Sequence, residues 1–328
     1  NTGKNCKAQH YESGWVAMEK KDYTTAVNEF QQVIDQNSRL AESYRAEGIA
    51  YYSEKAYPEA IAAFSRSLNN MDDPDKEFKK DVQFYLAQAR MDYGEVDKAI
   101  EVYSEILKAG EDEQAFFLRG KAYISMEDYK NAEKDFQRAL EGCEDYNLYI
   151  NIYQIYVDHN KAVDGDAYLK MALELEPQDG EDCYHRGRIY EYEKNYEAAR
   201  DELKTAMEQG YEDAMLLLGR VYLEMEDPAS ARSMYQEYLQ KSEQGAKAYN
   251  GLAMCDIYDG AYDSALENIA QGLKENSKED EQGLLYNEIV AYEYKRDFAT
   301  AKEKMKIYLE QYPEDEAALR ENEFLSTR

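Results

Sequence analysis

The sequence predicts an all-α protein built from stacked helix hairpins, and three observations carry that reading. A small residue followed twelve positions later by alanine recurs as Gly14–Ala26, Gly48–Ala60, Ala87–Ala99, Gly120–Ala132, Gly187–Ala199, Gly219–Ala231 and Ala253–Ala265, while Ile289–Ala301 keeps only the alanine. Four residues past each alanine stands a large apolar side chain: Phe30, Phe64, Tyr103, Phe136, Leu203, Tyr235, Ile269 and Met305. Prolines (5) and glycines (17) are few, and 44% hydrophobic with 33% charged residues fits a mostly helical chain with a substantial core.

The spacing has a physical cause. Two antiparallel helices that approach closely need a missing side chain where they cross, and a bulky knob one turn on to fill the groove. A glycine inside a helix costs roughly 1 kcal/mol relative to alanine. Five of them retained within helical patterns therefore point to close contact. The clearest unit is Glu113 to Glu144, two amphipathic segments joined by a short polar turn.

Taken in order, the alanines are separated by 34, 39, 33, 67, 32, 34 and 36 residues. The gap of 67 is two periods and conceals a degenerate unit, Tyr146 to Pro177, whose Gly–Ala pair is lost. The gap of 39 holds an insertion near Met71–Asp81, expected as a longer turn containing Pro74. Nine units result, near residues 7–40, 41–79, 80–112, 113–145, 146–179, 180–211, 212–245, 246–281 and 282–313, with the degenerate fifth as a candidate hinge. Residues 314–325 read as a final helix that caps the array with a polar face.

A period near 34 with a helix–turn–helix pattern resembles the tetratricopeptide repeat. The family's small residue and following tyrosine match Gly48/Tyr51, Gly120/Tyr123, Gly187/Tyr190 and Gly219/Tyr222, and its proline after the second helix matches Pro177 and Pro313. Its tryptophan is replaced by Tyr44, Phe116 or Tyr249. The resemblance covers nearly the whole chain. It implies a right-handed α-α superhelix of about nine hairpins plus a capping helix, with a concave groove lined by the first helix of each unit.

Composition narrows the function. The formal net charge of −29 argues against nucleic acid or an anionic membrane as the main partner, because both require basic patches. Solubility is the simplest reading of that charge. The 32 tyrosines suit thin layers in which most side chains sit near water. Cys6, Cys143, Cys183 and Cys255 form no CxxC and have no histidine at metal-ligand spacing, so they read as free thiols, with a Cys143–Cys183 bridge left open. No apolar run approaches the roughly 18 residues of a membrane span. The chain starts at Asn1, so an upstream segment is taken to have been removed; a lipid-anchored bacterial extracytoplasmic protein is one expectation and a cytoplasmic one the other. Only three histidines occur, His10, His159 and His185, and no hydrolase, zinc-protease or phosphate-loop motif is present. The stretch Asp158 to Asp166 lacks the alternating ligands of a calcium loop. Neither a catalytic site, a metal nor a cofactor is expected.

The groove is the candidate site. On each first helix the residue after the small position, with those about four before it and three or four after, should face inward. These are Tyr11, Trp15 and Met18; Arg45, Ile49 and Tyr52; Phe84 and Met91; Phe117, Lys121 and Ile124; Tyr184, Arg188 and Tyr192; Leu216, Arg220 and Leu223; Asn250, Met254, Ile257 and Tyr258; and Tyr286, Val290 and Tyr294. Lys121, Arg188 and Arg220 each follow a glycine directly, a basic stripe suited to a carboxylate-bearing or acidic peptide, with aromatics supplying area. The competing reading pairs Arg220 with Glu224 and Arg188 with Glu191 on their own helices, and packs the aromatics between first helices. The lysine–asparagine clamp of chaperone-binding family members is not matched at Tyr11 and Trp15. The expected role is a protein-interaction scaffold that binds a peptide or protein segment without catalysis. The alternatives are a peptide-sensing regulator and the recognition arm of a larger enzyme.

Overall fold

The computed structural model describes residues 2–72 and 75–328, with side chains from residue 8 onward. The described residues contain nineteen helices and no strand. They fall into two compact units. Unit 1 (Asn1–Asp166) holds α1 (Thr2–Glu19), α2 (Tyr23–Asp35), α3 (Leu40–Ser53), α4 (Tyr57–Asn69), α5 (Lys76–Tyr93), α6 (Val96–Ala109), α7 (Glu113–Ser125), α8 (Tyr129–Ala139), α9 (Tyr146–Asp158) and the start of α10 (Ala162–Leu173). Unit 2 (Ala167–Arg328) holds the rest of α10, then α11 (Gly180–Tyr192), α12 (Tyr196–Glu208), α13 (Ala214–Glu224), α14 (Pro228–Lys241), α15 (Ala246–Tyr258), α16 (Tyr262–Leu273), α17 (Lys278–Tyr294), α18 (Phe298–Gln311) and α19 (Glu316–Ser326).

One turn geometry makes the hairpins. One residue just past each first helix is left-handed: Gly94 directly after its helix, and Lys21, Lys55, Glu127, Asn160, Lys194, Glu226, Gly260 and Arg296 two residues after theirs. In the fourth hairpin the N–H of Glu127 donates to the Ile124 carbonyl at 2.9 Å, and that of Asp128 to the Tyr123 carbonyl at 2.9 Å. This is a Schellman closure, which satisfies the last carbonyls of a helix. The residue that completes it also begins the next helix: Asp22, Asp128, Asn195, Asp227 and Asp297 each accept from a backbone N–H three residues on. Two residues therefore end one helix and start the other. The turn repeats nine times, which gives nine hairpins with α19 left over.

The glycines sit where the spacing predicts contact. A Cβ built on Gly14 would lie 2.4 Å from the Phe30 ring, on Gly48 2.6 Å from Phe64, on Gly120 2.7 Å from Phe136, and on Gly187 2.6 Å from Leu203. In the degenerate unit the small residue has moved to the second helix: a Cβ on Gly165 would meet Tyr156 Cβ at 2.9 Å and the Tyr153 ring at 3.1 Å. The crossing survives although the Gly–Ala pair does not.

A polar brace accompanies two crossings. Arg119, just before Gly120, donates through Nε and Nη2 to both oxygens of buried Asp135 at 2.7 and 2.8 Å, and through Nη1 to Ser104 Oγ at 2.9 Å. Arg186, just before Gly187, donates to Glu202 at 2.8 Å and to the Leu173 and Leu175 carbonyls at 3.0 Å. Each arginine spans to an acid sixteen residues on. Glu47 holds the same place before Gly48, but the residue sixteen on is Ala63; buried, its carboxyl is pushed up to about 6 by loss of water, with Arg66 partly opposing.

Two expectations change, and the reading of the cysteines as free thiols stands for the three described. The insertion near Met71–Asp81 is mostly helix, since α5 starts at Lys76 behind the Asp75 cap; Pro74 lies outside the described residues. The terminal helix is not uniformly polar outside: it buries Ala318 and Leu325 but leaves Leu319 43% and Phe324 41% exposed. Cys143, Cys183 and Cys255 are free thiols, and the side chain of Cys6 lies outside the described residues.

Candidate functional site

Within unit 2 the first helices touch one another, α11 with α13, α13 with α15, and α15 with α17. Their common face lines a cavity of about 930 Å³. Tyr184 comes from α11; Leu216, Leu217 and Arg220 from α13; Ala246, Lys247, Asn250, Gly251 and Met254 from α15; Glu279 and Asp280 from the first turn of α17. The links between hairpins add Asp213, Glu243, Gln244, Glu275 and Ser277.

Two lining residues come from a second helix. Tyr235 and Tyr238 stand on α14, behind the first-helix layer, and still reach the cavity. The glycines explain Tyr235: a Cβ on Gly219 would lie 2.5 Å from its Cζ, and one on Gly251 2.3 Å from the same atom. The ring thus passes between α13 and α15 where both lack a side chain. Tyr235 is 4% exposed, and burial pushes its phenol well above the usual tyrosine range. It stays a neutral donor at any ordinary pH.

The charges in the cavity are largely committed. Arg220 donates to Glu191 through Nε at 2.5 Å and Nη2 at 2.7 Å, a bidentate pair whose hydrogen bond leads in raising the guanidinium pKa. Lys247 Nζ lies 3.1 Å from Glu279 and 4.0 Å from Asp280. Glu275 accepts the backbone N–H of Gly245 at 2.9 Å and of Ala246 at 2.8 Å, so a carboxylate just past the end of α16 caps α15, the first helix of the same hairpin. Asn250 accepts from Asn287 Nδ2 at 2.8 Å, which ties α15 to α17. Behind the cavity, buried Asp256 takes Arg232 at 2.7 Å, Ser264 at 2.9 Å and Asn268 at 2.7 Å.

Of the residues singled out from sequence, Tyr184 and Arg220 line this cavity, together with Leu216, Asn250 and Met254 from the wider inner-face set. The cation stripe is not gathered by the structure. Lys121 lies in unit 1 on α7, exposed, with no ion pair among the described residues. Arg188 donates through Nη1 to His185 Nδ1 at 3.1 Å. Arg220 pairs with Glu191 of the preceding hairpin, whereas the sequence placed Glu224 beside it. Tyr184 packs on Tyr211 with centroids 4.9 Å apart. Tyr192, Tyr258 and Tyr294 are exposed on unit 2 outside the cavity lining, Tyr294 stacked on Tyr262 at 5.9 Å.

In unit 1 the remaining candidates are held by neighbours. Trp15 packs on Phe30 at 5.4 Å and on Tyr11 at 6.3 Å. Phe117 lies 6.1 Å from Phe136. Arg45 donates through Nε to Asp81 at 2.5 Å and covers the Tyr85 ring at 5.3 Å, and Tyr52 donates to Asp92. Sequence reasoning missed Tyr235, Tyr238 and the linker carboxylates. A signal for the first existed: Tyr235 is flanked by glycine sixteen residues to either side, at Gly219 and Gly251.

Two family models, each described as a tetratricopeptide repeat, match the chain, one over residues 11–75, 184–246 and 216–281 and the other over 113–145. Together they cover more than half of it. This protein belongs to the tetratricopeptide repeat family. Among solved structures it is similar to YrrB, described as a protein of this family with an unusual peptide-binding site (26% identity, 57% of this chain, 97% of that chain, TM-score 0.38). It is also similar to a tetratricopeptide repeat protein of Parabacteroides merdae (16% identity, 87% and 99%, TM-score 0.46) and to yeast Tom70 (14% identity, 94% and 85%, TM-score 0.49). Comparison with curated proteins returned no match. No helix among the described residues is long and apolar enough to cross a membrane.

Proposed function

We propose that this chain is a non-enzymatic scaffold for protein–protein interaction, and that a segment of a partner protein docks in the cavity of unit 2. The observation that carries this reading is the cavity itself, about 930 Å³ with walls from four successive first helices and tyrosines at its base. That volume lies at the upper end of the ~300–1,000 Å³ typical of ligand pockets. Its rim mixes carboxylates, amides and two cations, a lining for recognition and not for bond cleavage. The carboxylate-bearing ligand expected from sequence rested on three cations, of which Arg220 is already neutralised by Glu191 and Arg188 is held at His185.

Peptides selected by phage display on the purified chain provide the test. Their affinities, measured by calorimetry, should fall at least tenfold (about 1.4 kcal/mol) in Leu216→Asn and in Met254→Asn, with the helical circular dichroism signal unchanged. Selected peptides that bind both variants as tightly as the parent chain would place the binding surface elsewhere.

A further inference from the structure

The proposed docking cavity has a charge balance of its own. Five lining carboxylates, Asp213, Glu243, Glu275, Glu279 and Asp280, face two cations. Both cations are paired with acids, and Glu275 is used by backbone N–H groups of α15. Asp213 and Glu243 have no hydrogen-bond or ion-pair partner for their side chains among the described residues, and both stand exposed at the rim. The floor holds a second unused group. Tyr235, 4% exposed, makes no side-chain hydrogen bond among the described residues although its ring tip emerges between Gly219 and Gly251 into the cavity. A hydroxyl that opens on a cavity bonds water there until an entering ligand takes its place, and a ligand that reproduces the bond keeps its energy.

We infer that the cavity takes a lysine- or arginine-bearing segment of a partner protein, with Asp213 and Glu243 as counter-charges at the rim and the Tyr235 hydroxyl as a hydrogen-bond anchor at the floor. The inference rests on the docking role proposed above and adds the ligand's chemistry. Apolar stems of lysine or arginine lie along Leu216 and Met254 while the cationic heads meet the free carboxylates, the division of labour these long side chains favour. An acidic segment would instead enter a field of excess negative charge with no uncommitted cation to receive it. Phenylalanine occupies the place of Tyr235 under three other glycines, at Phe30, Phe64 and Phe136, so removing the hydroxyl leaves a side chain that the crossing accepts.

Two fluorescein-labelled ten-residue peptides of alternating leucine with lysine, and of leucine with glutamate, serve as probes in anisotropy titrations at 150 mM salt. The lysine peptide should bind. Its affinity should fall tenfold or more in Asp213→Asn combined with Glu243→Gln and roughly threefold in Tyr235→Phe. A control pair on second helices of the same unit, Glu197→Gln with Glu267→Gln, should leave it unchanged. Equal losses in the control pair would reduce the effect to bulk charge and overturn the inference. Preference for the glutamate peptide, lost in Met254→Glu, would overturn the basic ligand while leaving the docking role standing. Failure of both peptides and of all selected peptides to respond to cavity variants would sink both.

Discussion

At the scale of single residues, burial converts ordinary side chains into constrained ones. Glu293 on α17 has Oε1 buried without a hydrogen bond among the described residues. Burial first, then the hydrogen bond and charge of Glu321 on α19, push its carboxyl up to about 7. A carboxyl raised above its ordinary 4.5 binds a proton more tightly folded than unfolded. Its contribution to stability is complete below about pH 4.5 and is lost as pH rises through about 7. Glu293→Gln, which keeps the shape of the protonated acid, should match the parent at pH 4.5 and exceed it at pH 8. The gain should be near 1 kcal/mol, held down by water on the open side of the pair, or about 2–4 °C in Tm. Thermal melts at the two pH values check this, and parallel curves would show that the pair does not titrate in this window.

At the scale of the element, the hairpin turn does the most with the least chain. One left-handed residue and one capping residue close the first helix and open the second, which leaves no loop to vary and fixes the crossing that the glycines require. Four of the nine turns lack the side-chain cap: Ala56, Glu95 and Ala261 accept no such bond, and Lys161, before α10, has no side-chain acceptor to offer. Ala261 has the same backbone placement as Asp297 and Asp227, with its N–H already donated to the Asp256 carbonyl at 2.8 Å. Ala261→Asp should therefore add a hydrogen bond to the Ser264 N–H and raise stability by about 0.5–2 kcal/mol. Urea denaturation would register the gain as a higher midpoint at unchanged slope. Unit 2 depends on this turn because α15 supplies five of the cavity's lining residues.

At the scale of the molecule, helix pairs in contact within each unit are one or two apart in sequence, so cohesion is passed from neighbour to neighbour. Damage should therefore stay local before it spreads. In unit 1, Gly48→Leu would drive a side chain into the Phe64 ring, where a bare Cβ already approaches to 2.6 Å. Hydrogen exchange should quicken in α3 and α4 and in their neighbours α2 and α5, while α7 and α8 retain protection. Uniform loss of protection across unit 1 would mean that its hairpins unfold as one body and not as a neighbour-coupled series.

The hairpins, their register and the glycine crossings were legible in the sequence because helix–helix contact is local: the residues that meet are sixteen apart, and the same demand recurs every 34 or so. The brace from Arg119 to Asp135 obeys the same spacing and was open to the same reading. What joins successive hairpins was not. Arg220 chose Glu191, twenty-nine residues back, over Glu224 one helical turn away, and Asn287 on α17 reached thirty-seven residues back to Asn250 on α15. Tyr235 looked like one more core knob until two glycines, on separate helices, opened a path for its hydroxyl. Periodicity in one chain thus determined which residues make a hairpin. Only the tertiary structure decided which charges remained unspent in the cavity, because that balance depends on distances between hairpins that no spacing within a hairpin encodes.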